Sequence, residues 1–150
     1  MVRAVTSPEI VMVGLEAGSK EDASKQLAAL LLKDGRITNL DGFLDAVKAR
    51  EEHFPTGIEG GIAIPHAQSE FVTTASVAVG ISKNGVDFGA DDGPSDLIFL
   101  IAAPVSEGNT HLEILAALAR KVMHEEFIDE LRSQSDSGAI AEIVNREVQK

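Results

Sequence analysis

The sequence predicts an α/β fold, because short apolar runs of strand character alternate with amphipathic helical patterns along the chain. One of these runs, residues 96–103, is apolar on both faces, as expected of a central strand that is covered on both sides. The chain has 150 residues, which is long enough to bury a core without disulfides or bound metals. Of these residues 44% are hydrophobic and 25% charged, as is typical of globular proteins. No linker, internal repeat or low-complexity segment divides it, and we predict a single domain over residues 1–150.

The first third of the chain predicts one strand and two helices. The apolar run at residues 9–15 predicts the strand. Ser19 is a favourable N-cap and Asp34-Gly35 is a stop signal, and apolar residues recur at helical spacing between them. A second helix is predicted from about Asn39 or Leu40 to Glu52. Its buried stripe is Leu40, Phe43, Leu44 and Val47.

A glycine-rich segment, residues 56–67, follows the second helix. It has three glycines within five residues, which permit positive φ angles and close backbone approach. Residues 62–64 predict a brief buried strand, and Pro65 ends it because proline cannot donate to a sheet ladder. His66 is therefore expected at the end of a strand, where reactive groups of α/β folds tend to lie.

The middle of the chain predicts two strands joined by a tight turn. Residues 72–82 show an alternation with a period of two, which indicates a strand. Asn84-Gly85 is a strong tight-turn signal, so residues 86–88 are expected to return as a short antiparallel partner. Residues 91–94 predict another turn before the central strand.

A capped helix is predicted after the central strand. Thr110 as N-cap and Glu113 at the third helical position form a capping box, and the helix is expected to continue through Met123. His111 lies on the apolar stripe of this helix, in its first turn. The free backbone N–H groups and the helix dipole favour an anion at this position.

The remaining elements carry no obvious site. Residues 125–132 and 139–148 predict two short amphipathic helices, with Gly138 at or near the start of the second. His53 and His124 lie in charged segments and are predicted to be solvated surface residues.

Charge and composition exclude several classes of function. The formal net charge of −11 argues against binding to nucleic acid or to an anionic membrane, since both require clustered lysine and arginine. The chain has no cysteine, which excludes disulfides and thiolate chemistry. No apolar run approaches the roughly 20 residues that span a bilayer, and we expect a cytoplasmic protein.

Two histidines and an arginine, each at the end of a core element, form the candidate site: His66, His111 and Arg50. Arg50 returns to nearly the same helical face as Phe43 and Val47, which turns it toward the interior. If the three side chains converge, the chemistry that suits them is phosphoryl transfer. A neutral imidazole attacks phosphorus while a cation and N–H donors stabilise the phosphoryl oxygens.

Other interpretations of these residues stay open. His66 could be an ordinary hydrogen-bonded loop residue, and Arg50 could cap the last carbonyls of its helix. A zinc site would need the two histidines with Glu59 or Asp92, but no H-E-x-x-H spacing exists and a nearby arginine would oppose a cation. The sequence has no G-x-S-x-G nucleophile elbow, no P-loop and no dinucleotide fingerprint.

Four segments, in this order along the chain, resemble the fructose/mannitol type enzyme IIA of the bacterial phosphoenolpyruvate-dependent sugar phosphotransferase system. The segments are Arg50-Glu51, residues 56–66, residues 85–93, and His111-Leu112 together with residues 115–119. The resemblance covers most of the chain, and the ordered set is far more specific than any single motif. It implies one α/β domain with a mixed parallel/antiparallel central sheet and helices on both faces.

The resemblance also implies roles for the candidate residues. His66 would accept a phosphoryl group from phosphorylated HPr and pass it to enzyme IIB, which serves the membrane IIC permease. His111 would stabilise the phosphorylated state, and Arg50 would belong to the same site. Independently of the resemblance, we hypothesise that the glycines let the backbone and a partner protein come close to a phosphorylated imidazole.

The same resemblance implies no metal, no organic cofactor and no direct insertion into a membrane. Fructose is the expected sugar and mannitol the next. The alternative is the nitrogen-type regulatory enzyme IIA, whose phosphorylation state controls binding to a partner protein.

Overall fold

A mixed sheet lies at the centre of the fold. The computed structural model describes residues 4–53, 56–105 and 110–148, but not the side chains at 110–112 and 115. Within these residues the sheet has six strands. They are β1 (Val11–Val13), β2 (Gly57–Ile58), β3 (Ile62–Ala63), β4 (His66–Ser69), β5 (Ser76–Val86) and β6 (Ser95–Pro104). The order is β1-β5-β6-β3-β2, and β4 also pairs with β6.

Parallel and antiparallel pairs both occur in this sheet. The pairs β1·β5, β3·β6 and β4·β6 are parallel, whereas β5·β6 and β2·β3 are antiparallel. The mixed sheet that the family resemblance implied is therefore confirmed.

Helices cover both faces of the sheet. They are α1 (Lys20–Lys33), α2 (Leu40–His53), α3 (Thr110–Lys121), α4 (Glu125–Arg132) and α5 (Ser137–Val148). One core cluster joins α1 and α2 to one sheet face, and a second cluster joins the last three helices to the other. In the described residues, no helix is both long and apolar enough to cross a membrane.

Strand β6 is buried on both faces, which explains its continuous apolar sequence. Ile98 and Leu100 belong to the cluster under α1 and α2, while Phe99 and Ile101 belong to the cluster under the last three helices. All four side chains are fully buried. The predicted central strand is thus confirmed.

Helix α1 follows its predicted capping signals, and a side-chain cap also starts α2. The Ser19 hydroxyl accepts a hydrogen bond from the N–H of Asp22 at 3.1 Å, and Gly35 takes a φ of 74° just after the helix ends. At the start of α2, the side-chain oxygen of Asn39 accepts the N–H of Gly42 at 2.9 Å. Both helices therefore begin and end within a residue or two of the predicted positions.

The first strand is shorter than predicted. Residues 9 and 10 lie in a 3₁₀ helix, Pro8–Ile10, and only Val11–Val13 pairs with β5. Pro8 favours this start of a helical turn because its φ is fixed and it needs no N–H partner there. The N–H of Ile10 closes the turn by donating to the Ser7 carbonyl at 3.0 Å.

The hairpin predicted at Asn84-Gly85 is wrong. Strand β5 begins at Ser76 rather than Val72 and continues through Asn84-Gly85 to Val86. Gly85 takes a φ of 77° at a register irregularity between Ile81 and Val86, so the dipeptide forms a bulge within the strand. The reversal comes later, with the predicted turn at residues 91–94, before β6.

Helix α3 ends two residues earlier than predicted. Its last residue is Lys121, and the N–H of Met123 donates to the Arg120 carbonyl at 3.3 Å, which is a turn rather than an α-helical bond. The two terminal helices begin at Glu125 and Ser137, close to the predicted positions.

A buried arginine joins the start of the chain to the sheet. Arg36 is only 1% exposed, and its Nε donates to Oδ2 of Asp34 at 2.8 Å. Its Nη1 donates to the carbonyls of Ala4 and Val5 at 2.9 and 3.2 Å and to the Ser76 hydroxyl at 3.1 Å. The sequence pattern did not single out Arg36, because three of its four partners come from two distant segments, residues 4–5 and Ser76.

We predict that Arg36→Leu lowers the free energy of unfolding by about 3–5 kcal/mol, because it leaves buried acceptors without a donor. Urea unfolding measures the loss. The matched control is Arg120→Leu on the exposed face of α3, where we expect a change within about 0.5 kcal/mol. Equal stability of the two variants would contradict a structural role for Arg36.

Candidate functional site

His66 is the first residue of β4 rather than a residue beyond the end of a strand. Strand β3 stops at Ala63, and the chain rejoins the sheet at His66, which is paired in register with Ile101 of β6. Pro65 interrupts the ladder because it has no N–H, but its carbonyl accepts the N–H of Ile101 at 2.9 Å. The backbone of His66 is therefore held by the central strand.

Two contacts orient the imidazole of His66. Its Nδ1 lies 2.9 Å from the carbonyl oxygen of Ile64, and its Nε2 lies 3.1 Å from Nε of Arg50. A carbonyl oxygen can only accept and an arginine N–H can only donate, so the proton belongs on Nδ1 and the lone pair on Nε2. In this arrangement Nε2 is the ring nitrogen that presents a lone pair, on the side of the ring that faces Arg50.

Arg50 reaches His66 from the last turn of α2. Its side chain is half-buried, and its Nε–H points at the histidine ring. The structure therefore brings together two of the three residues that the sequence selected. Helix α2 and strand β4 pack against each other, which places the guanidinium over the start of β4.

His111 is the third predicted site residue, and its side chain lies outside the described part of the structure. Its backbone lies in the first turn of α3, of which Thr110 is the first residue. Five residues separate Pro104 from Thr110, so this turn lies toward the end of β6 that pairs with β4. The predicted capping box depends on the Thr110 side chain and also lies outside the described part.

Gly60 and Gly61 form the turn of a short hairpin. Strands β2 and β3 pair through a turn in which Gly60 and Gly61 take φ values of 93° and 78°. The Gly61 carbonyl accepts the N–H groups of Asp96 and Leu97, whereas His66 is paired with Ile101. Four residues of strand correspond to about 13 Å. Gly60 and Gly61 therefore lie about four strand residues from His66, and their role in letting a partner protein approach the imidazole stays a prediction.

Side chains from other elements hold the tip of this hairpin. The N–H of Gly60 donates to Oδ2 of Asp92 at 3.0 Å, and its carbonyl accepts from Nη2 of Arg132. The same guanidinium nitrogen donates to Asp96 at 2.7 Å. A Cβ on Gly61 would lie 2.7 Å from Asp96 Oδ1 and 2.9 Å from Arg132 Nη2, so a larger residue would have to displace this ion pair and adopt a strained positive φ.

The metal hypothesis finds no support in the described residues. Asp92 binds the hairpin backbone, and Glu59 is exposed. Among the side chains that the structure describes, which do not include His111, no group of three or more histidine or acidic residues is placed to hold a metal ion. His53 and His124 are exposed, as predicted.

Sequence reasoning missed a buried acid beside the site. Glu51 is 7% exposed, and its carboxylate accepts from the hydroxyl of Thr56, which immediately precedes β2. A signal for it existed, because Phe43, Val47 and Glu51 follow one another at a spacing of four along the buried stripe of α2. An acid on such a stripe needs a buried partner.

Comparison with known proteins relates this fold to one family. The family described as "Phosphoenolpyruvate-dependent sugar phosphotransferase system, EIIA 2" matches residues 4–147. A "PTS system fructose-specific EIIA component" from Haloferax volcanii is 36% identical over 148 residues, which cover 95% of this chain and 96% of that protein. A "PTS system fructose-specific EIIABC component" from Bacillus subtilis is also 36% identical over 137 residues, but this chain covers only 22% of its length.

Solved structures of related proteins share the same architecture. The nitrogen regulatory protein IIA-Ntr from Neisseria meningitidis aligns with a TM-score of 0.84 and 28% identity, covering 93% of this chain and 96% of that chain. IIA mannitol from Escherichia coli aligns with a TM-score of 0.77 and 26% identity, covering 93% of this chain and 98% of that chain. The single-domain mixed α/β architecture therefore agrees with these neighbours.

Proposed function

The chain belongs to the EIIA 2 family of the phosphoenolpyruvate-dependent sugar phosphotransferase system, and we propose that it is a phosphocarrier acting as a single cytoplasmic IIA domain. It accepts a phosphoryl group from phosphorylated HPr on His66 and passes it to enzyme IIB, and through it to the membrane IIC permease. The observation that carries the proposal is the orientation of the His66 ring, whose Nε2 has a lone pair beside the Arg50 guanidinium.

The transfer step follows from this geometry. The Nε2 lone pair attacks phosphorus, a bond between phosphorus and Nε2 forms, and the bond from phosphorus to the donor breaks. Nδ1 keeps its proton throughout, and the Ile64 carbonyl accepts from it. The positive charge that develops on the ring is therefore stabilised by a carbonyl dipole, and no separate base is needed.

Arg50 has two tasks in this mechanism. In the unphosphorylated protein its Nε–H occupies the Nε2 lone pair, so it must leave that position before the attack. Its guanidinium has five N–H donors, which can then bind the phosphoryl oxygens with charge-assisted hydrogen bonds. His111 supplies a further donor in the same proposal.

Fructose is the proposed sugar, with mannitol next. The support for fructose is the Haloferax volcanii relative, which is named fructose-specific and matches over nearly its whole length. The support for mannitol is the structural likeness to IIA mannitol from Escherichia coli.

A second candidate function is regulation through the phosphorylation state of His66. The observation that favours it is the likeness to IIA-Ntr from Neisseria meningitidis, whose TM-score of 0.84 exceeds the 0.77 for IIA mannitol. In that function the phosphoryl group controls binding to a partner protein and is not passed on to a sugar.

We predict that the protein becomes labelled when it is incubated with radiolabelled phosphoenolpyruvate, enzyme I and HPr, and that His66→Ala abolishes the label. His53→Ala and His124→Ala serve as controls, since both histidines are exposed, and they should label normally. Discharge of the label to a fructose or mannitol IIB domain supports transport, whereas discharge to neither supports regulation. Labelling that survives in the His66→Ala variant contradicts both functions.

We also predict that Arg50→Gln slows phosphorylation of His66 by about 100-fold, because the phosphoryl oxygens lose their cationic donor. Quench-flow measurement with phosphorylated HPr gives the rate. Arg120→Gln, an exposed arginine on α3, is the control for the loss of one positive charge. If Arg50→Gln unfolds the domain, the role of Arg50 is structural. If the folded variant keeps the normal phosphorylation rate, Arg50 does not stabilise the phosphoryl group.

A further inference from the structure

We propose that Glu51 is a positioning residue, which fixes the Arg50 guanidinium and the His66 imidazole relative to each other. It acts through a closed circuit of contacts that includes Thr56 and Ile64. The inference rests on the proposed role of His66 as the phosphoryl acceptor, but its geometry can be tested without any phosphate.

Glu51 binds the start of the glycine-rich segment with both carboxylate oxygens. The Thr56 hydroxyl donates to Oε1, and the Thr56 N–H donates to Oε2 at 3.4 Å. Nζ of Lys20, at the start of α1, lies 3.6 Å from the same Oε2. Because the carboxylate and Thr56 are both buried, these bonds have little competition from water.

The first half of the circuit runs from Thr56 to the histidine ring. The Thr56 carbonyl accepts the N–H of Ile64 at 3.1 Å, and the Ile64 carbonyl accepts from Nδ1 of His66 at 2.9 Å. The position of Thr56 therefore sets the position of the carbonyl that selects the imidazole tautomer. A shift of Thr56 would loosen the hydrogen bond that holds the proton on Nδ1.

The second half of the circuit of contacts runs through the last turn of α2. Glu51 and Arg50 are adjacent in the last turn of α2, and Arg50 donates to Nε2 of His66 at 3.1 Å. When Glu51 is bound to Thr56, this last turn is tied to the segment that leads to the histidine. The two nitrogens of the imidazole are thus held from opposite ends of one circuit that Glu51 closes.

The chemistry of a glutamate suits this position. Thr56 presents two donors, an N–H and an O–H, and a carboxylate can accept both. A glutamine amide can accept at its oxygen but cannot accept at its nitrogen, so Glu51→Gln leaves one Thr56 donor without an acceptor. That variant keeps the size of the side chain and breaks one bond of the circuit.

The test compares Glu51→Gln with Glu52→Gln, its exposed neighbour on the same turn. Thr56→Val removes the hydroxyl donor, and Thr56→Ser keeps it. Two measurements are made on each variant: the rate of phosphorylation by phosphorylated HPr, and the tautomer of unphosphorylated His66 from nitrogen-15 NMR of the ring.

We expect Glu51→Gln and Thr56→Val to slow phosphorylation by about 10- to 100-fold, because the nucleophile and the cation lose their alignment. In both, the fraction of His66 with the proton on Nδ1 should fall, whereas Glu52→Gln and Thr56→Ser should resemble the original protein. A change in thermal stability without a change in the tautomer would assign Glu51 a structural role and overturn the proposal.

An unchanged rate and tautomer in Glu51→Gln would overturn it as well. The two hypotheses fail in different ways, because absence of label on His66 in the unaltered protein refutes the phosphocarrier function alone. The tautomer comparison between Glu51→Gln and Glu52→Gln still decides whether Glu51 positions the ring.

Discussion

The pairing of β6 with two successive short strands, β3 and β4, is the constraint on which the site depends. Pro65 separates the two strands and contributes only its carbonyl to the ladder. The chain is thus fixed on both sides of Pro65, and the imidazole of His66 can turn back onto the Ile64 carbonyl. Since β6 is buried on both faces, close packing holds the strand that supports β3 and β4 in place.

The site combines this rigid support with a long side chain from a neighbouring helix. The histidine is held by a strand, whereas Arg50 is a long, half-buried side chain near the end of a helix. A fixed nucleophile with an adjustable cation suits a carrier that must both gain and lose a phosphoryl group. The cation can bind Nε2 before the transfer and the phosphoryl oxygens after it.

Local signals predicted much of the fold, and long-range contacts account for what was missed. Ser19 and Gly35 bound α1 through contacts within a few residues, so the sequence alone placed that helix well. Gly85 misled the prediction, because a glycine with positive φ serves a bulge as well as a hairpin turn. Arg36 was missed because its acceptors on Ala4, Val5 and Ser76 are distant in sequence.

In the proposed mechanism, Nε2 of His66 carries the phosphoryl group while Nδ1 keeps its proton and donates it in a hydrogen bond to the Ile64 carbonyl. Nitrogen-15 NMR of the phosphorylated protein, with phosphorus–nitrogen couplings resolved on the His66 ring, tests it most directly. We expect the coupling to phosphorus on Nε2, with Nδ1 still protonated. Phosphorus bonded to Nδ1 would contradict it, because the Ile64 contact would then have to break for every transfer.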